Sequence, residues 1–501
     1  MSVLLRNANI GGARDVGLAD SNVSGYTDIL IEAGRIARIA PGLHDGSAET
    51  VDLEGRVVIP GLWDNHVHMS QWAFASSTLS LAAASSARQA AEMVSWALAA
   101  EPAMRGGVDR SDMSSPFVGT AFHDALWPDA PHRTALDEVS GSRAVVLLSN
   151  DLHCVWLNSV ALEMYGFADH PTGVLREDDA FAVSQRLLAA PDAVLDGWVD
   201  SALRSAATRG IVGIVDLEMR WNLDDWMRRR RSGSDSTRIE FGIYAQHLDR
   251  AIELGLRTGQ QLDELTSVGR LKVVTDGSLG TRTAFCYDEY PGLSGPDSHG
   301  LLTLPPHEVM PLIRRAVNAG IEPTVHAIGD HANALVLDAY EQLGIPGRIE
   351  HAQLLRESDV ARFAQLGIVA SVQPEHAMDD RDIADRFWEG RTQRSFMVRT
   401  LLDAGVELAL GSDAPVAPLD PWVTIAAAVA RSRDGRAPWH PEQAISVGDA
   451  LFASTRTRIG AGEVADLVVL DADPWAASGD DLRRMPVAAT ILAGRFTHRD
   501  V

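Results

Sequence analysis

The sequence is poor in lysine and cysteine. Of its 44 basic side chains one is a lysine, Lys272, and all the others are arginine. The two cysteines, Cys154 and Cys286, are too few for a disulfide framework and lack the Cys-x-x-Cys spacing of many metal and redox sites. We therefore expect the cysteines to be ordinary buried thiols, whereas the single lysine needs an explanation of its own.

Positive charge is scarce along the whole chain. The 501 residues include 68 acidic and 44 basic ones, and the net charge of −24 repels phosphate backbones and anionic lipids. The N-terminus lacks a basic segment followed by a long apolar one, and no apolar run of about 18 residues occurs elsewhere. These features predict a soluble cytoplasmic protein without nucleic-acid or membrane partners. They favour a small-molecule enzyme or a protein-binding module, with a homodimer as a candidate assembly.

From about residue 205 onward, short β-rich segments alternate with helical ones, a pattern typical of βα units around a parallel sheet. Together with RVVIPGLWDNHVH at 56–68 they predict eight strands. The other seven segments are ATRGIVGIVDLEM, RIEFGIYAQHL, RLKVVTDGS, AGIEPTVHAIGD, GRIEHAQ, LGIVASVQPEH and AGVELALGSDAP. The sequence thus predicts an α/β fold, a (β/α)8 TIM barrel, with chemistry at the C-terminal ends of its strands.

Two parts of the chain do not follow this alternation of strands and helices. Residues 1–57 and 458–501 both contain hairpin-like strand patterns, and we predict that they combine into one small composite β-sandwich domain. Residues 58–457 would then form the barrel. Within it, residues 70–205 are far too long for a βα loop and are predicted to form an inserted subdomain that caps the substrate site after the first barrel strand.

Histidine and aspartate recur where the predicted strands end. The first strand ends in His66-Val67-His68, whose two imidazoles project to the same side because strand residues alternate. The fifth, sixth and eighth strands end at His326, His351 and Asp413. Borderline metals such as Zn²⁺ take imidazole and carboxylate ligands. The set therefore predicts a site for one or two divalent ions, most simply zinc, at one rim of the barrel.

Lys272 lies on the predicted fourth strand of the same barrel. A neutral lysine amine can add carbon dioxide to form a carbamate, whose oxygens can bridge two cations about 3.5–4 Å apart. An arginine cannot, because its guanidinium stays protonated. We therefore interpret Lys272 as the site of a CO₂-derived carbamate that bridges the metal ions.

These motifs resemble those of the metal-dependent amidohydrolase superfamily, and more narrowly amidohydrolase family 3, which includes N-substituted formamide deformylase-like enzymes. The resemblance is carried by WDNHVH, LKVVTDGSLGTRTA, VHAIGD, RIEHAQ, SVQPEHA, LLDAGVELALGSDAPV and GEVADLVVLD. It implies that His66, His68 and Asp413 hold one metal, that His326 and His351 hold the other, and that carboxylated Lys272 bridges them. It also implies cleavage of a carbon–nitrogen bond other than a peptide bond.

The expected mechanism is attack of a metal-bound hydroxide on the carbonyl of an amide, N-acyl or N-formyl amine. Asp413 would be the catalytic residue that takes the proton and passes it to the leaving nitrogen. Side chains in segments expected to overhang the site are candidate substrate contacts: His153, Asn158, Arg282, Gln373 and His376.

Three alternatives stay open at this point. An esterase or lactonase could use the same centre. A deaminase is a second alternative, although His326 is followed by Ala-Ile-Gly-Asp rather than by a glutamate three residues on. The third is a non-catalytic regulatory protein on a hydrolase scaffold, which would be expected to have lost ligands that this sequence retains.

Overall fold

A computed structural model of the protein describes residues 2–10, 26–76, 78–104, 116–187 and 191–501, without the side chains of 101–104. Parts of the predicted N-terminal domain and of the predicted insert therefore lie outside the described residues, namely residues 1, 11–25, 77, 105–115 and 188–190. None of the helices in the described ranges combines the length and the apolarity needed to span a membrane.

The strands of the described ranges fall into three sheets. In chain order they are β1 (Ser2–Asn9), β2 (Tyr26–Glu32), β3 (Arg35–Ala40), β4 (Glu49–Asp52), β5 (Val57–Pro60), β6 (Leu62–Val67), β7 (Leu79–Ser80), β8 (Phe117–Phe122), β9 (Val145–Ser149), β10 (Cys154–Leu157), β11 (Val174–Arg176), β12 (Ile211–Asp216), β13 (Arg238–Tyr244), β14 (Thr266–Val274), β15 (Pro323–Ala327), β16 (Gly347–His351), β17 (Ile368–Val372), β18 (Leu408–Leu410), β19 (Leu467–Leu470), β20 (Val487–Leu492) and β21 (Arg495–Arg499).

The α-helices of the same ranges lie mostly between these strands. They are α1 (Met69–Ala75), α2 (Ala87–Met104), α3 (Arg133–Ser140), α4 (Ser159–Tyr165), α5 (Asp178–Leu187), α6 (Asp192–Ala207), α7 (Asn222–Arg231), α8 (Leu248–Glu253), α9 (Pro306–Asn318), α10 (Asp330–Leu343), α11 (Glu357–Leu366), α12 (His376–Phe387), α13 (Val398–Asp403), α14 (Pro421–Ala430), α15 (Val447–Phe452) and α16 (Gly479–Arg483).

The central sheet is a nearly closed parallel barrel. Its eight strands lie in the order β6, β12, β13, β14, β15, β16, β17, β18, and each of the eight contains part of a segment that the sequence predicts as a strand. The first and last strands meet through two backbone hydrogen bonds, from Asp413 N–H to His66 O (2.8 Å) and from His68 N–H to Ala414 O (2.8 Å). The predicted barrel is confirmed.

Burial on both faces explains why these segments form a parallel sheet. Every residue of β6 and of β12 is buried, and helices between successive strands cover the outside. Strands covered on both faces read as near-continuous apolar runs rather than as alternating ones. The buried polar residues in these strands, such as Asp64 and Asp216, are therefore exceptions to the apolar pattern.

The two ends of the chain meet in a second sheet. Strand β19 pairs with β5 on one side and with β20 on the other, so residues from both termini are neighbours. Arg238 of the barrel strand β13 joins this sheet to the barrel through the buried carboxylate of Asp466 (2.7 Å). The sandwich architecture and the boundaries at 57 and 458 stay predictions.

A third sheet lies in the segment between β6 and β12. It has the strand order β11, β10, β9, β8, β7, and it contacts the barrel near the C-terminal end of β14. There Ser278 donates to Asp151 Oδ2 (2.7 Å), and Thr283 donates to Glu177 Oε1 (2.6 Å). The segment predicted to be an insert thus meets the barrel at the end where the functional side chains are expected. The boundaries of that insert, at 70 and 205, stay predictions.

A glycine in β12 offers a test of the barrel packing. A methyl group on Gly213 would overlap the indole ring of Trp63 in the neighbouring strand β6, so Gly213→Ala should destabilise the protein by about 1–3 kcal/mol. Gly197 in helix α6 has open space around its Cα, and Gly197→Ala should leave stability equal or slightly higher. Thermal unfolding of both variants would check this, and equal midpoints would contradict the packing described for β12.

Candidate metal centre

The side chains predicted to bind metal lie together in one cavity. His66, His68, Lys272, His326, His351 and Asp413 all line a cavity of about 600 Å³ at the C-terminal ends of the barrel strands. All six are buried, with exposed fractions between 1% and 9%. The barrel therefore brings together residues that are as far as 347 positions apart in the sequence, from 66 to 413.

Three of these side chains have the separations that a bound cation needs. Nε2 of His66 and Nε2 of His68 lie 3.4 and 3.3 Å from Oδ1 of Asp413. A tetrahedral zinc with bonds of about 2.0–2.1 Å holds its ligand atoms about 3.3–3.5 Å apart. One ligand atom from each of the three residues lies within 4.8 Å of the other two. The donor set and its spacing therefore fit a divalent cation.

The backbone is left-handed at two of these positions. The φ angles of His351 and Asp413 are 75° and 58°, which is uncommon for residues other than glycine. Such conformations cost on the order of 1–3 kcal/mol and are found disproportionately at functional sites. Here they turn the chain at the ends of β16 and β18, where the two side chains enter the cavity.

Glu350 orients His66, a role that the sequence did not predict. Its Oε2 lies 2.7 Å from Nδ1 of His66, so Nε2 of that imidazole is left facing Asp413. Thr324 donates to Oε1 of Glu350 (2.5 Å), and Nε of Arg348 lies 2.7 Å from the same oxygen. A carboxylate on the outer nitrogen of a metal-binding histidine fixes its tautomer and raises its basicity.

His326 and His351 lie on the other side of the cavity floor, with ring centroids 4.5 Å apart. Nε2 of His326 and Nδ1 of His351 are buried and have no hydrogen-bond partner among the described residues, although Oδ1 of Asp276 lies 3.5 Å from Nε2 of His326. Burial lowers the pKa of both imidazoles, and neighbouring groups lower it further. Both rings are therefore neutral, which is the form that binds metals.

Lys272 is buried in the middle of this group, with 2% of its surface exposed. Desolvation lowers the pKa of its ammonium to about 8, although the carboxylates of Glu350 and Asp413 partly offset that effect. A larger share of the amine is therefore neutral near pH 7 than for an exposed lysine, whose pKa is about 10.4. The position fits the chemistry of carbamate formation.

The candidate substrate contacts divide into two groups. His153 and His376 line the cavity. Asn158, Arg282 and Gln373 do not belong to the described residues that line it. The amide of Asn158 caps helix α4 and bonds to neighbours within the insert, while Arg282 lies over the ring of Phe387 at 5.4 Å.

Gln373 lies just below the cavity floor. It is 2% exposed, and its Nε2 lies 3.3 Å from Ser371 O and 3.4 Å from Nδ1 of His66. It therefore packs against the side of His66 that also meets Glu350.

His153 has a partner that the sequence did not reveal. Its Nδ1 lies 2.7 Å from Oε2 of Glu177, and Oε1 of the same carboxylate accepts a hydrogen bond from Thr283 of the barrel. Burial alone would lower the pKa of His153, but the Glu177 carboxylate raises it to about 9. His153 therefore presents a protonated imidazole to the cavity. No local sequence signal links Glu177 to His153, because the pairing depends on how the insert packs on the barrel.

Glu350 provides a test of the metal centre. Glu350→Gln removes the carboxylate behind His66, so zinc affinity should fall by about 10–100-fold. Glu240→Gln is the matched control, since Glu240 is a barrel carboxylate paired with Arg456 (2.6 Å) and is not among the described residues of the cavity. Zinc competition with a chromophoric chelator would measure both variants. Equal losses in the two would remove Glu350 from any specific role at the centre.

Comparison with known proteins identifies the family. A model of the amidohydrolase family matches residues 49–498. Protein LONG AFTER FAR-RED 3 of Arabidopsis thaliana is 30% identical over 93% of this chain and 86% of that protein. N-substituted formamide deformylase of Arthrobacter pascens is 26% identical over 98% of this chain and 97% of that enzyme. An uncharacterized metal-dependent hydrolase from Pyrococcus furiosus has a crystal structure similar to this one, with a TM-score of 0.73 and 25% identity over 95% of this chain and 100% of that one.

The family match includes the whole barrel and every residue of the candidate metal centre, from His66 to Asp413. The similarity to the Pyrococcus furiosus hydrolase agrees with the parallel barrel described above. The chain belongs to the amidohydrolase family of hydrolases.

Proposed function

We propose that the protein hydrolyses a carbon–nitrogen bond other than a peptide bond in a small molecule, such as an amide, an N-acyl amine or an N-formyl amine. The observation that carries this proposal is the meeting of His66, His68 and Asp413 at the floor of a cavity large enough for a small organic substrate. The similarity to N-substituted formamide deformylase supports the choice of bond.

The proposed cofactor is one or two divalent cations, most simply Zn²⁺. His66, His68 and Asp413 would hold one ion, while His326 and His351 would hold the other, with a carbamate on Lys272 between them. This assignment is supported by the buried Nδ1 of His351, which has no hydrogen-bond partner in the part of the chain that the structure describes. When bound, such ions supply an activated water near neutral pH and polarise a carbonyl oxygen.

Asp413 is the proposed proton carrier. Burial alone would raise the pKa of its carboxyl, but the imidazoles of His66, His68 and His376 hold it well below its ordinary value. The carboxylate is therefore ionised, which is the form that both a cation ligand and a proton acceptor require. It would then deliver that proton to the leaving nitrogen, which must be protonated before an amine can depart.

His153 is the proposed donor to the substrate oxygen. Its protonated imidazole lines the cavity, and its ring centroid lies 6.0 Å from that of His326. A donor held in place beside the reacting carbonyl stabilises the negative charge that develops there. Because Glu177 holds His153 through Nδ1, Nε2 is the atom left for the substrate.

The walls of the cavity indicate what kind of substrate it admits. Aromatic side chains line it at Phe122, Phe181, Trp221 and Tyr244. Carboxylates such as Glu218, Asp379 and Asp380 also line it, but the aromatic side chains supply the apolar surface that is typical of sites for small organic molecules. We therefore propose that the acyl or amine part of the substrate carries an apolar group.

Turnover on matched substrates tests the proposed function. The zinc-loaded protein should hydrolyse N-formyl or N-acyl amines of aromatic compounds, lose this activity after treatment with a chelator, and regain it when zinc is added. Esters with the same acyl groups serve as the comparison. Faster hydrolysis of the esters than of every amide would favour an esterase instead.

The role of Asp413 can be tested separately. Asp413→Asn keeps the size of the side chain but removes the base, so kcat should fall by about 10²–10⁴-fold while part of the metal is retained. Zinc analysis of the same preparation gives the metal content. A variant with full metal and unchanged kcat would exclude Asp413 as the proton carrier.

A further inference from the structure

A second, smaller cavity lies beside the cavity of the candidate metal centre. Its volume is about 30 Å³, and residues of helix α1, strands β8 and β9 and helix α5 line it. Five of its described lining residues also line the larger cavity, so the two cavities adjoin each other. These five are Gln71, Ser149, Asn150, Leu152 and Ser184. We call the smaller cavity the side pocket.

The side pocket begins close to the candidate metal ligands. In the sequence Gln71 follows His68 by three residues, and Pro415, which also lines the pocket, follows Asp413 by two. From Gln71 the pocket extends along α1 to Ala75, which lies on the same face of the helix one turn further on. One helical turn advances about 5.4 Å. A short chain on a substrate held at the centre can therefore enter the pocket.

The walls of the side pocket favour an apolar occupant. Phe74, Leu148 and Leu187 contribute apolar side chains. Four of the five polar side chains among the described lining residues already have hydrogen-bond partners. Gln71 Nε2 donates to Glu218 (3.0 Å), Ser149 donates to Asp151 (2.6 Å), Ser184 donates to Ala180 O (2.9 Å), and the hydroxyls of Thr120 and Thr78 share a bond (3.1 Å). Because a buried water needs about two to four polar partners, an apolar group suits the pocket better than water.

The size of the side pocket limits what it can hold. A cavity that binds benzene has a volume of about 150 Å³, whereas the side pocket has about 30 Å³. A ring or a branched group therefore does not fit, but one or two carbon atoms of a straight chain do. The larger cavity, of about 600 Å³, has room for a bulky group.

The backbone is left-handed at two positions of the side pocket. The φ angles of Ala121 and Leu152 are 66° and 63°. Neither residue is a glycine, and such conformations occur disproportionately at functional sites. Leu152 lines both cavities, so this strained position lies where they adjoin.

We propose that the side pocket is the subsite for the acyl group of the substrate, and that this group is a short, unbranched alkyl chain such as that of a propionyl amide. The amine is released first and needs a wide way out, which the larger cavity provides. The acyl group stays at the centre until the second product leaves, so the narrow pocket suits it. The inference rests on the proposed function, because an acyl subsite presupposes that the adjoining centre cleaves an amide.

Formyl and propionyl amides of one aromatic amine test the inference. The full-length, zinc-loaded protein would be assayed with both, and the ratio of their kcat/KM values compared between variants, because the two amides differ in intrinsic reactivity. Ala75→Leu fills the side pocket from α1. Each carbon that loses its place there should cost about fourfold, so the propionyl-to-formyl ratio should fall about tenfold.

Two further variants make the result specific. Ala182→Leu is the matched control, since it makes the same change at an exposed position of α5 that belongs to neither cavity, and its ratio should equal that of the wild type. Leu187→Ala enlarges the pocket and should raise kcat/KM for a butyryl amide relative to the propionyl amide. It also replaces Ala75→Leu if circular dichroism shows that this variant does not fold.

Binding of carboxylates gives a readout that does not need turnover. Calorimetry on the zinc-loaded wild type should show propionate binding about tenfold more tightly than formate. Benzoate should gain nothing over formate, because its ring does not fit the side pocket. In Ala75→Leu the advantage of propionate should disappear.

The outcomes separate the inference from the proposed function. Equal ratios and equal propionate binding in the wild type and in folded Ala75→Leu, or no response of the butyryl amide to Leu187→Ala, would overturn the acyl subsite while amide hydrolysis itself persists. A wild type that hydrolyses no amide would refute the proposed function. If it also bound propionate no better than formate, the acyl subsite would be refuted as well.

Discussion

Two backbone hydrogen bonds at the seam of the barrel determine the geometry of the centre. They join Asp413 N–H to His66 O and His68 N–H to Ala414 O, and so set the end of β6 against the chain that follows β18. The side chains of His66, His68 and Asp413 leave the backbone at this seam. These hydrogen bonds between the first and last strands form only when all eight strands have closed into a barrel. The arrangement of His66, His68 and Asp413 therefore depends on the whole barrel rather than on any one motif.

The segment between β6 and β12 contributes a different part of the cavity. His153 reaches the floor from above, held by Glu177, while Thr283 and Ser278 of the barrel tie Glu177 and Asp151 to the loop after β14. The barrel thus supplies the candidate metal ligands, and the overlying segment supplies the charged group that faces them. The contacts above the floor could therefore change without moving the candidate ligands.

Much of the fold and of the centre could be predicted from the sequence. The barrel strands were predictable because each is an apolar run between turn-forming segments, and the candidate ligands because they lie at or near the C-terminal ends of those runs. Glu350 and Glu177 were not predicted, because their roles depend on partners 284 and 24 residues away in the chain. Asn158 and Arg282 were expected near the substrate, but their side chains contact Ser140 and the ring of Phe387, pairings that no periodic pattern reveals.

The central claim is that His66, His68 and Asp413 hold a divalent cation at the floor of the cavity. The most direct measurement is anomalous X-ray diffraction at the zinc edge on crystals of the wild-type protein grown with Zn²⁺. Our account predicts an anomalous peak about 2.0–2.1 Å from Nε2 of His66, Nε2 of His68 and Oδ1 of Asp413. A fully ordered cavity without a peak at that position, or with zinc bound only at the protein surface, would contradict it.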